Sequence, residues 1–248
     1  MRKLGLLGYP LSHSFSKKYY LDKFHKEHIH GIDYDLYSIE DIHDFPQLYE
    51  QDDRFYGFNV TIPHKQAVMQ FIDELSEEAA AIQAVNCITI QRKGDKPYLK
   101  GYNTDAFGFE ESLAPLLQEK HKKALVLGNG GAAKAILYVL EKRGIPYLIV
   151  SRSKHNGDLT YEELNENTIR GHQLIINCSP VGTFPSVDKA PQIPYEFIGE
   201  DHLLYDLIYN PEETLFLQKG RENGATTKNG YEMLLLQAEK NWEIWNNA

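Results

Sequence analysis

Short apolar runs alternate with longer stretches of helical composition along the whole chain. This alternation is typical of a parallel α/β sheet, in which buried strands are joined by helices. The pattern predicts strands at 3–7, 34–39, 58–62, 85–91, 124–127, 147–150, 174–177 and 203–206, and helices at 16–28, 42–49, 74–83, 106–117, 132–143 and 231–245.

The pattern starts afresh near Lys122, which divides the chain into two series of strands. We therefore predict an N-terminal α/β domain over residues 1–103 and a doubly wound, Rossmann-like domain over residues 104–230. The last segment, 231–248, is expected to return to the first domain and complete it, because a helix that leaves the last strand needs a surface to cover.

Composition and charge exclude several classes of protein. Of 248 residues 42% are hydrophobic, which is enough for a packed core. No apolar run is long enough to span a membrane, and the short N-terminal run is broken by Gly8 and Pro10, which favours a strand over a signal peptide. A net charge of −9 argues against a nucleic-acid surface, since phosphate binding needs a clustered basic field.

The two cysteines, Cys87 and Cys178, lie in apolar runs and not at metal-ligand spacing. A free cysteine in such a run behaves as a small hydrophobic residue, so we expect a reducing, cytoplasmic environment. His25, His28 and His30 lie close together, but no fourth ligand is apparent, and no metal site is predicted.

A glycine-rich turn follows the strand predicted at 124–127 and opens the next helix. Its first glycine permits a tight turn, the next lets the backbone approach a pyrophosphate, and the small residues after it let the helix pack on the sheet. A plain glycine-rich connection would look similar, but the flanking strand and helix favour a dinucleotide site. We assign to this site Gly128, Asn129, Gly130, Gly131 and Ala132.

The end of the next strand indicates which dinucleotide binds. Sites for NAD usually carry a carboxylate there, whereas sites for NADP use a cation for the 2′-phosphate. The chain has Ser151, Arg152, Ser153 and Lys154 at this point, and the guanidinium suits phosphate oxygens. We therefore predict NADP(H) as cofactor.

Four polar clusters stand at the ends of strands in the first series, where open α/β sheets bind ligands. Each has an ordinary alternative, namely helix capping for the serines and the aspartate, and solvent exposure for the lysine. Their combination favours a single cleft beside a nicotinamide. The clusters contribute Ser14, Ser16, Asn59, Thr61, Lys65, Asn86 and Asp105.

The second cluster makes a more specific prediction. Asn59 and Thr61 alternate along the predicted strand, so both side chains point to one face. Pro63 fits the first turn of a helix, which places Lys65 in that turn. A lysine is electrostatically disfavoured at a helix N-terminus, which indicates a functional position.

The clusters resemble motifs of the shikimate dehydrogenase family. The SxS motif corresponds to Ser14 and Ser16, and the NVTxPxK, AVN and NTD motifs end at Lys65, Asn86 and Asp105. Further matches follow in the same order at 177–182, 206–214 and 229–238. Agreement in this order along nearly the whole chain is hard to obtain by chance.

The resemblance implies a role for each matching residue. Ser14 and Ser16 would bind the substrate carboxylate, and Lys65 and Asp105 would form the catalytic pair. Further substrate contacts are implied at Asn59, Thr61, Asn86, Tyr209 and Gln237, and further cofactor contacts at Cys178, Ser179 and Gly230.

The implied reaction is the reversible, NADPH-dependent reduction of 3-dehydroshikimate to shikimate in aromatic amino acid biosynthesis, by a monomer or a homodimer. Reduction of a ketone places negative charge on its oxygen, which Lys65 can protonate and stabilise. Two alternatives stay open: a relative that also uses quinate or NAD, and a non-catalytic sensor of a pathway intermediate. The pair of Lys65 and Asp105 argues against the sensor, since a sensor needs no proton donor.

Overall fold

The computed structural model describes residues 1–11, 15–94 and 96–247 of the chain. The chain divides into two compact units: Met1–Thr104 with Gln237–Ala248, and Asp105–Leu236. Each unit contains one six-stranded sheet flanked by helices. The predicted α/β class with two domains is confirmed.

The first unit is built from six strands, three helices before residue 104 and short 3₁₀ segments at Ile42–Asp44 and Ala67–Phe71. The elements are β1 (Arg2–Gly8), α1 (Phe15–Lys26), β2 (Ile32–Ser38), α2 (Phe45–Glu50), β3 (Phe55–Val60), β4 (Glu74–Leu75), α3 (Glu77–Ile82), β5 (Cys87–Lys93) and β6 (Lys96–Tyr102). The strand order in the sheet is β2-β1-β3-β5-β6-β4. Strands β2 and β3 both run parallel to β1, whereas β5 is antiparallel to β3 and to β6.

The first sheet is mixed, whereas the alternation of strands and helices is typical of a parallel one. Strand β6 was not predicted, although Leu99 and Gly101 in it are buried while Lys96 is exposed and Lys100 is half-buried. This alternation of buried and more exposed residues is typical of a strand with one buried face. The strand was not recognised from the sequence because its lysines make the segment polar. The strand predicted at 85–91 begins two residues later, at Cys87, and a strand precedes α3 where a longer helix was expected.

The second unit continues the chain from Asp105 and leads into the last helix. The elements are α4 (Asp105–Leu113), β7 (Ala124–Leu127), α5 (Gly131–Lys142), β8 (Tyr147–Ser151), β9 (Leu159–Thr160), α6 (Glu166–Arg170), β10 (Leu174–Asn177), β11 (Leu203–Asp206), α7 (Leu215–Glu222), β12 (Thr226–Lys228) and α8 (Tyr231–Asn246). Its sheet is parallel throughout and has the strand order β12-β11-β10-β7-β8-β9. From the other edge, the strands follow the 3-2-1-4-5-6 order of dinucleotide-binding folds.

The last helix, α8, is fixed to the sheet of the first unit from Gln237 onward. Trp245 is buried, and its indole N–H donates to the Ile88 carbonyl at 3.0 Å. On α1, the Tyr20 hydroxyl donates to the Ala238 carbonyl at 2.9 Å. The predicted return of the chain to the first domain is thus confirmed. No helix in the described part of the chain has the length and apolarity to cross a membrane.

Candidate active site

A chain of buried hydrogen bonds crosses the sheet of the first unit near its carboxyl edge. Tyr34 on β2 donates its hydroxyl proton to Asn59 Oδ1 at 2.8 Å, and Asn59 Nδ2 donates to the Asn86 carbonyl at 3.4 Å. All three side chains are buried. Buried polar groups of this kind are held in place because each lost hydrogen bond leaves an unsatisfied group.

The same network continues from Asn86 to α8. Asn86 Nδ2 donates to the Thr104 hydroxyl at 3.0 Å, and this hydroxyl donates to Asn241 Oδ1 at 2.6 Å. Asn241 Nδ2 donates to Gln237 Oε1 at 3.0 Å, and Asn86 Nδ2 also reaches this oxygen at 3.5 Å. Two predicted substrate residues from distant parts of the sequence, Asn86 and Gln237, therefore meet.

The serine pair is described in part. Ser16 lies in the first turn of α1, where it is half-buried. Burial raises the pKa of Tyr34 well above its ordinary value, against the lowering effect of Ser16, so its hydroxyl stays protonated and donates to Asn59. Ser14 lies outside the described residues.

The segment around Lys65 differs from the prediction. The strand β3 ends at Val60, so Thr61 lies in the following turn, and its N–H donates to the Leu7 carbonyl at 2.8 Å. Lys65 is in a turn that precedes the 3₁₀ segment Ala67–Phe71, not in a helix. The expectations of a strand as far as Ile62 and of a helix N-terminus at Lys65 were therefore wrong.

Backbone contacts nevertheless fix the position of Lys65. Its carbonyl accepts a hydrogen bond from the Val85 N–H at 2.7 Å, next to Asn86. The neighbouring His64 is buried, and its Nε2 lies 2.7 Å from the Ile39 carbonyl. The Lys65 side chain is half-buried. The turn is thus held on both sides, at the same end of the sheet as Asn86.

Asp105 begins α4, as predicted, and is half-buried. A carboxylate in the first turn of a helix is favoured by the helix dipole, so its place has a structural as well as a functional explanation. The residues before it, Asn103 and Thr104, are buried in the first unit, and Asn103 Nδ2 donates to the Ala84 carbonyl at 3.0 Å.

The glycine-rich turn of the second unit has the geometry of a phosphate cradle. Gly128 has a φ of +101°, a conformation that favours glycine, and packs against Ser179. Gly130 caps α5 without a side-chain bond to the helix N–H groups. A Cβ at Gly130 or Gly131 would meet nothing within 4 Å. The helix N-terminus is thus open to an anion, which fits a pyrophosphate.

The turn after β8 shows how its four polar residues are used. The Ser151 hydroxyl donates to the Ser153 carbonyl and accepts from the Ser153 N–H at 3.2 Å, while Ser153 caps the next turn. Lys154 Nζ lies 2.8 Å from both oxygens of Glu163, which lies outside the predicted site. Arg152 is exposed. Of the two cations in this turn, Arg152 is therefore better suited than Lys154 to bind a phosphate.

The remaining predicted cofactor and pocket residues lie in the segments that follow β10, β11 and β12. Ser179 N–H and its hydroxyl both donate to Asn177 Oδ1, at 3.0 and 2.7 Å. Burial raises the pKa of the neighbouring Cys178 thiol, which keeps it protonated. Gly230 N–H donates to the Ile208 carbonyl at 3.0 Å, and Tyr209 is partly exposed.

Several residues of these networks were not predicted as site residues. Tyr34, Thr104 and Asn241 connect the predicted substrate residues in the first unit, and Asn177 and Asp206 organise loops in the second. One signal was available for Asn241, since it follows Gln237 by four residues and so shares its face of the helix. Tyr34 carries no such signal, because only the fold brings it to Asn59.

Comparison with known proteins supports the resemblance. The model of the shikimate dehydrogenase substrate binding domain matches residues 6–88. The NADP(+) shikimate dehydrogenase of Clostridium beijerinckii is 40% identical, with 100% of this chain and 93% of that protein aligned. That of Caldanaerobacter subterraneus is 35% identical over 97% of this chain and 90% of that protein.

Solved structures agree with these relatives. A chorismate mutase/shikimate 5-dehydrogenase fusion protein from Clostridium acetobutylicum superposes with a TM-score of 0.86 and 35% identity, covering 100% of this chain and 92% of that one. Shikimate 5-dehydrogenase from Thermus thermophilus, in complex with NADP(H) and shikimate, gives a TM-score of 0.85 at 28% identity, covering 100% and 94%. The chain belongs to the shikimate dehydrogenase family.

Proposed function

We propose that the protein catalyses the reversible, NADPH-dependent reduction of 3-dehydroshikimate to shikimate in aromatic amino acid biosynthesis. The observation that carries this proposal is the largely buried network that joins Asn59, Asn86 and Gln237, three polar residues from separate parts of the chain, at one end of the first sheet. A hydroxylated ring with a carboxylate needs such an array of hydroxyl and amide groups. The activities of the relatives support the same assignment.

In the proposed mechanism, Lys65 acts at the carbonyl oxygen. Negative charge develops on this oxygen as the carbonyl is reduced, so an ammonium group there stabilises the transition state and delivers the proton. Asp105 is proposed as its partner carboxylate. Ser14 and Ser16 bind the substrate carboxylate, and Thr61, Asn59, Asn86, Gln237 and Tyr209 complete the substrate contacts. The bound dinucleotide supplies the hydride.

The residues of the second unit fit NADP(H). The cradle at Gly128, Gly130 and Gly131 holds the pyrophosphate, with Asn129 and Ala132 beside it. Arg152 holds the 2′-phosphate, with Ser151, Ser153 and Lys154 in the same turn. Cys178, Ser179 and Gly230 belong to the loops proposed to contact the nicotinamide end.

A spectrophotometric assay of NADPH absorbance tests the function directly. NADPH consumption with 3-dehydroshikimate is measured beside oxidation of shikimate and of quinate, each with NADP and with NAD. We expect turnover with 3-dehydroshikimate and shikimate and a preference for the phosphorylated cofactor. Comparable rates with quinate or NAD would indicate the broader dehydrogenase, and binding without turnover would indicate a sensor.

We further propose that the protein works in the cytoplasm, as a monomer or homodimer. Both cysteines are free thiols, and Cys87 is buried, which suits a reducing compartment. Sedimentation velocity on the purified protein separates the two assembly states.

A further inference from the structure

Asp206, the last residue of β11, is a fully buried carboxylate that accepts three hydrogen bonds. Its Oδ1 accepts from Asn177 Nδ2 at 3.0 Å and from the Ile208 N–H at 3.1 Å. Its Oδ2 accepts from the Thr214 hydroxyl at 2.6 Å. All three partners donate toward the carboxylate, so its ionised form matches the site better than a protonated one.

One of these partners connects Asp206 to the loop after β10. Asn177 is fully buried, and its Nδ2 also reaches the Val181 carbonyl at 3.4 Å. Its Oδ1 accepts both hydrogen bonds from Ser179. A Cβ on Gly128 would lie 3.2 Å from the Ser179 Cβ, so this loop packs against the glycine-rich turn. The Asp206 carboxylate thus fixes the orientation of the Asn177 amide, and the amide fixes the loop.

The other partners connect Asp206 to the segment after β11. Thr214 is fully buried and caps α7 by accepting from the Leu217 N–H at 3.4 Å. Ile208 accepts from the Gly230 N–H at 3.0 Å, and a Cβ at Gly230 would overlap the Leu207 carbonyl oxygen. One carboxylate therefore ties together the two loops that follow β10 and β11 and the approach to α8.

We propose that Asp206 is a positioning residue, which in its ionised form holds the loops after β10 and β11 in the conformation that binds NADP(H). This inference rests on the proposed function, because it takes the cofactor from it. Asp206 itself touches neither cofactor nor substrate in this proposal. It acts through the Asn177 side chain and the Ile208 backbone.

The titration of Asp206 predicts that the conformation of the loops after β10 and β11 depends on pH. Burial raises the pKa of this carboxyl to about 6, while the bonds from Thr214, Ile208 and Asn177 act to lower it. Among the described residues, the Asp206 charge also acts on Cys178 and Tyr195, where it adds to the burial that raises the pKa of each. Protonation below a pH of about 6 places a donor where three donors already converge, so the loops are expected to loosen.

Asp206→Asn tests the proposal, with Asp201→Asn as the matched control. Asp201 is exposed, lies in the same unit and pairs with Lys120 at 3.2 Å. The dissociation constant of NADPH is measured by fluorescence titration without substrate, and hydrogen–deuterium exchange is followed in the protein without ligand. For Asp206→Asn we expect at least about tenfold weaker NADPH binding and faster exchange at 178–182 and 207–210, but not at 124–127. The control is expected to match the wild type.

The pH profile separates positioning from a purely structural role. The ratio of the two dissociation constants, wild type against Asp206→Asn, is measured from about pH 5 to about pH 8, on both sides of the Asp206 pKa. The 2′-phosphate of NADPH titrates in the same range, but its contribution cancels in the ratio. We expect the ratio to approach one below a pH of about 6. A ratio that is flat with pH, or unchanged loop exchange, would overturn the proposal.

If the Asp206→Asn protein does not fold, the Thr214→Val and Thr214→Ser variants test the proposal instead. The valine variant loses the hydroxyl that donates to Asp206, whereas the serine variant keeps it, so only valine is expected to weaken NADPH binding. Equal affinities would overturn the proposal. These measurements use NADPH alone, so they test the role of Asp206 even if 3-dehydroshikimate is not the substrate. If NADPH did not bind the wild-type protein, that result would contradict the proposed function itself.

Discussion

Asn86 and Thr104 are joined by reciprocal hydrogen bonds at the edge of the first sheet. Asn86 Nδ2 donates to the Thr104 hydroxyl at 3.0 Å, and the Thr104 N–H donates to Asn86 Oδ1 at 2.7 Å. Both residues are buried. Asn86 precedes β5 and Thr104 follows β6, so the pair closes the open end of this hairpin. A proposed substrate residue is therefore also a structural one.

Replacement of Asn86 by alanine is expected to lower both stability and substrate affinity. It leaves the buried Thr104 N–H without its acceptor, which costs about 1–3 kcal/mol. For a protein of this size each kcal/mol lowers Tm by roughly 2–4 °C. Calorimetry gives the Tm, and steady-state kinetics gives the KM for 3-dehydroshikimate, which should rise while NADPH binding is unchanged.

Asn246→Ala is the matched control, because Asn246 is exposed at the end of α8. It should leave Tm and KM close to the wild-type values. An Asn86→Ala protein with an unchanged Tm would show that water replaces the lost hydrogen bonds.

Lys65→Ala is expected to lower kcat by ~10²-fold or more, the usual contribution of a positioned acid or base. The reason is that the developing oxyanion loses both its proton donor and its stabilising charge. Stopped-flow measurement of hydride transfer under single-turnover conditions checks the chemical step itself. Near-wild-type turnover would remove Lys65 from the mechanism.

The control for this variant is Lys100→Ala. Lys100 lies on β6 in the same unit and pairs with Glu74 at 2.6 Å. It should keep the wild-type kcat, so that any loss in the Lys65 variant is not an effect of net charge.

A comparison of three apolar runs shows what the sequence could predict. The strands β10 and β11 begin and end where expected, because every residue in them is buried and each begins with three consecutive apolar or aromatic residues, which favour a buried strand. The run before Lys65 misled, since Ile62 is 70% exposed and the strand ends two residues earlier. Hydrophobicity alone does not distinguish a buried isoleucine from an exposed one.

The residues of the candidate site also fall into those that the sequence could predict and those that it could not. Asn86, Lys65 and the glycine-rich turn were recognisable as local motifs. The partners that hold them were not, because Tyr34 reaches Asn59 and Thr104 reaches Asn241 only through the tertiary fold. The ion pair of Lys154 with Glu163 could not be predicted from the sequence either, although it decides which cation of the turn is suited to the cofactor phosphate.

Arg152→Gln is expected to remove the preference for NADPH over NADH. A hydrogen bond to a charged group contributes about 1.5–3 kcal/mol, and its loss is roughly a 10- to 100-fold fall in kcat/KM with NADPH. Because NADH lacks the 2′-phosphate, its kcat/KM should change little. The measurement is the ratio of the two specificity constants, and equal use of both cofactors by the wild-type protein would contradict the assignment.

Lys154→Gln distinguishes the two cations of this turn. Lys154 is held by Glu163, which also accepts from the Thr160 N–H at 2.7 Å. Its removal should therefore reduce the preference for NADPH less than removal of Arg152 does. A larger effect of Lys154→Gln would mean that this ion pair opens when the cofactor binds.

Glu239→Gln is expected to destabilise the protein at neutral pH but not in acid. Glu239 on α8 pairs with Lys23 on α1 at 2.8 Å and also accepts from the Tyr19 hydroxyl. Burial acts to raise the pKa of Glu239, but these bonds outweigh it and hold the pKa below its ordinary value of 4.5. A carboxyl with a depressed pKa stabilises the folded state above its unfolded pKa, and this stability is lost as the pH falls through the folded value.

The difference in unfolding free energy between wild type and Glu239→Gln is measured by urea titration from about pH 7 to about pH 3. We expect this difference to be about 0.5–1 kcal/mol at neutral pH and to decline toward zero below about pH 4. The difference is small because the Glu239 side chain is half exposed, although that of Lys23 is largely buried. Glu243→Gln, which breaks a pair with Lys240 within α8 alone, should have a smaller effect. If the Glu239 difference instead stayed constant into acid, the charge would contribute nothing, and the attachment of α8 to α1 would rest on aromatic packing around Tyr20 and Trp245.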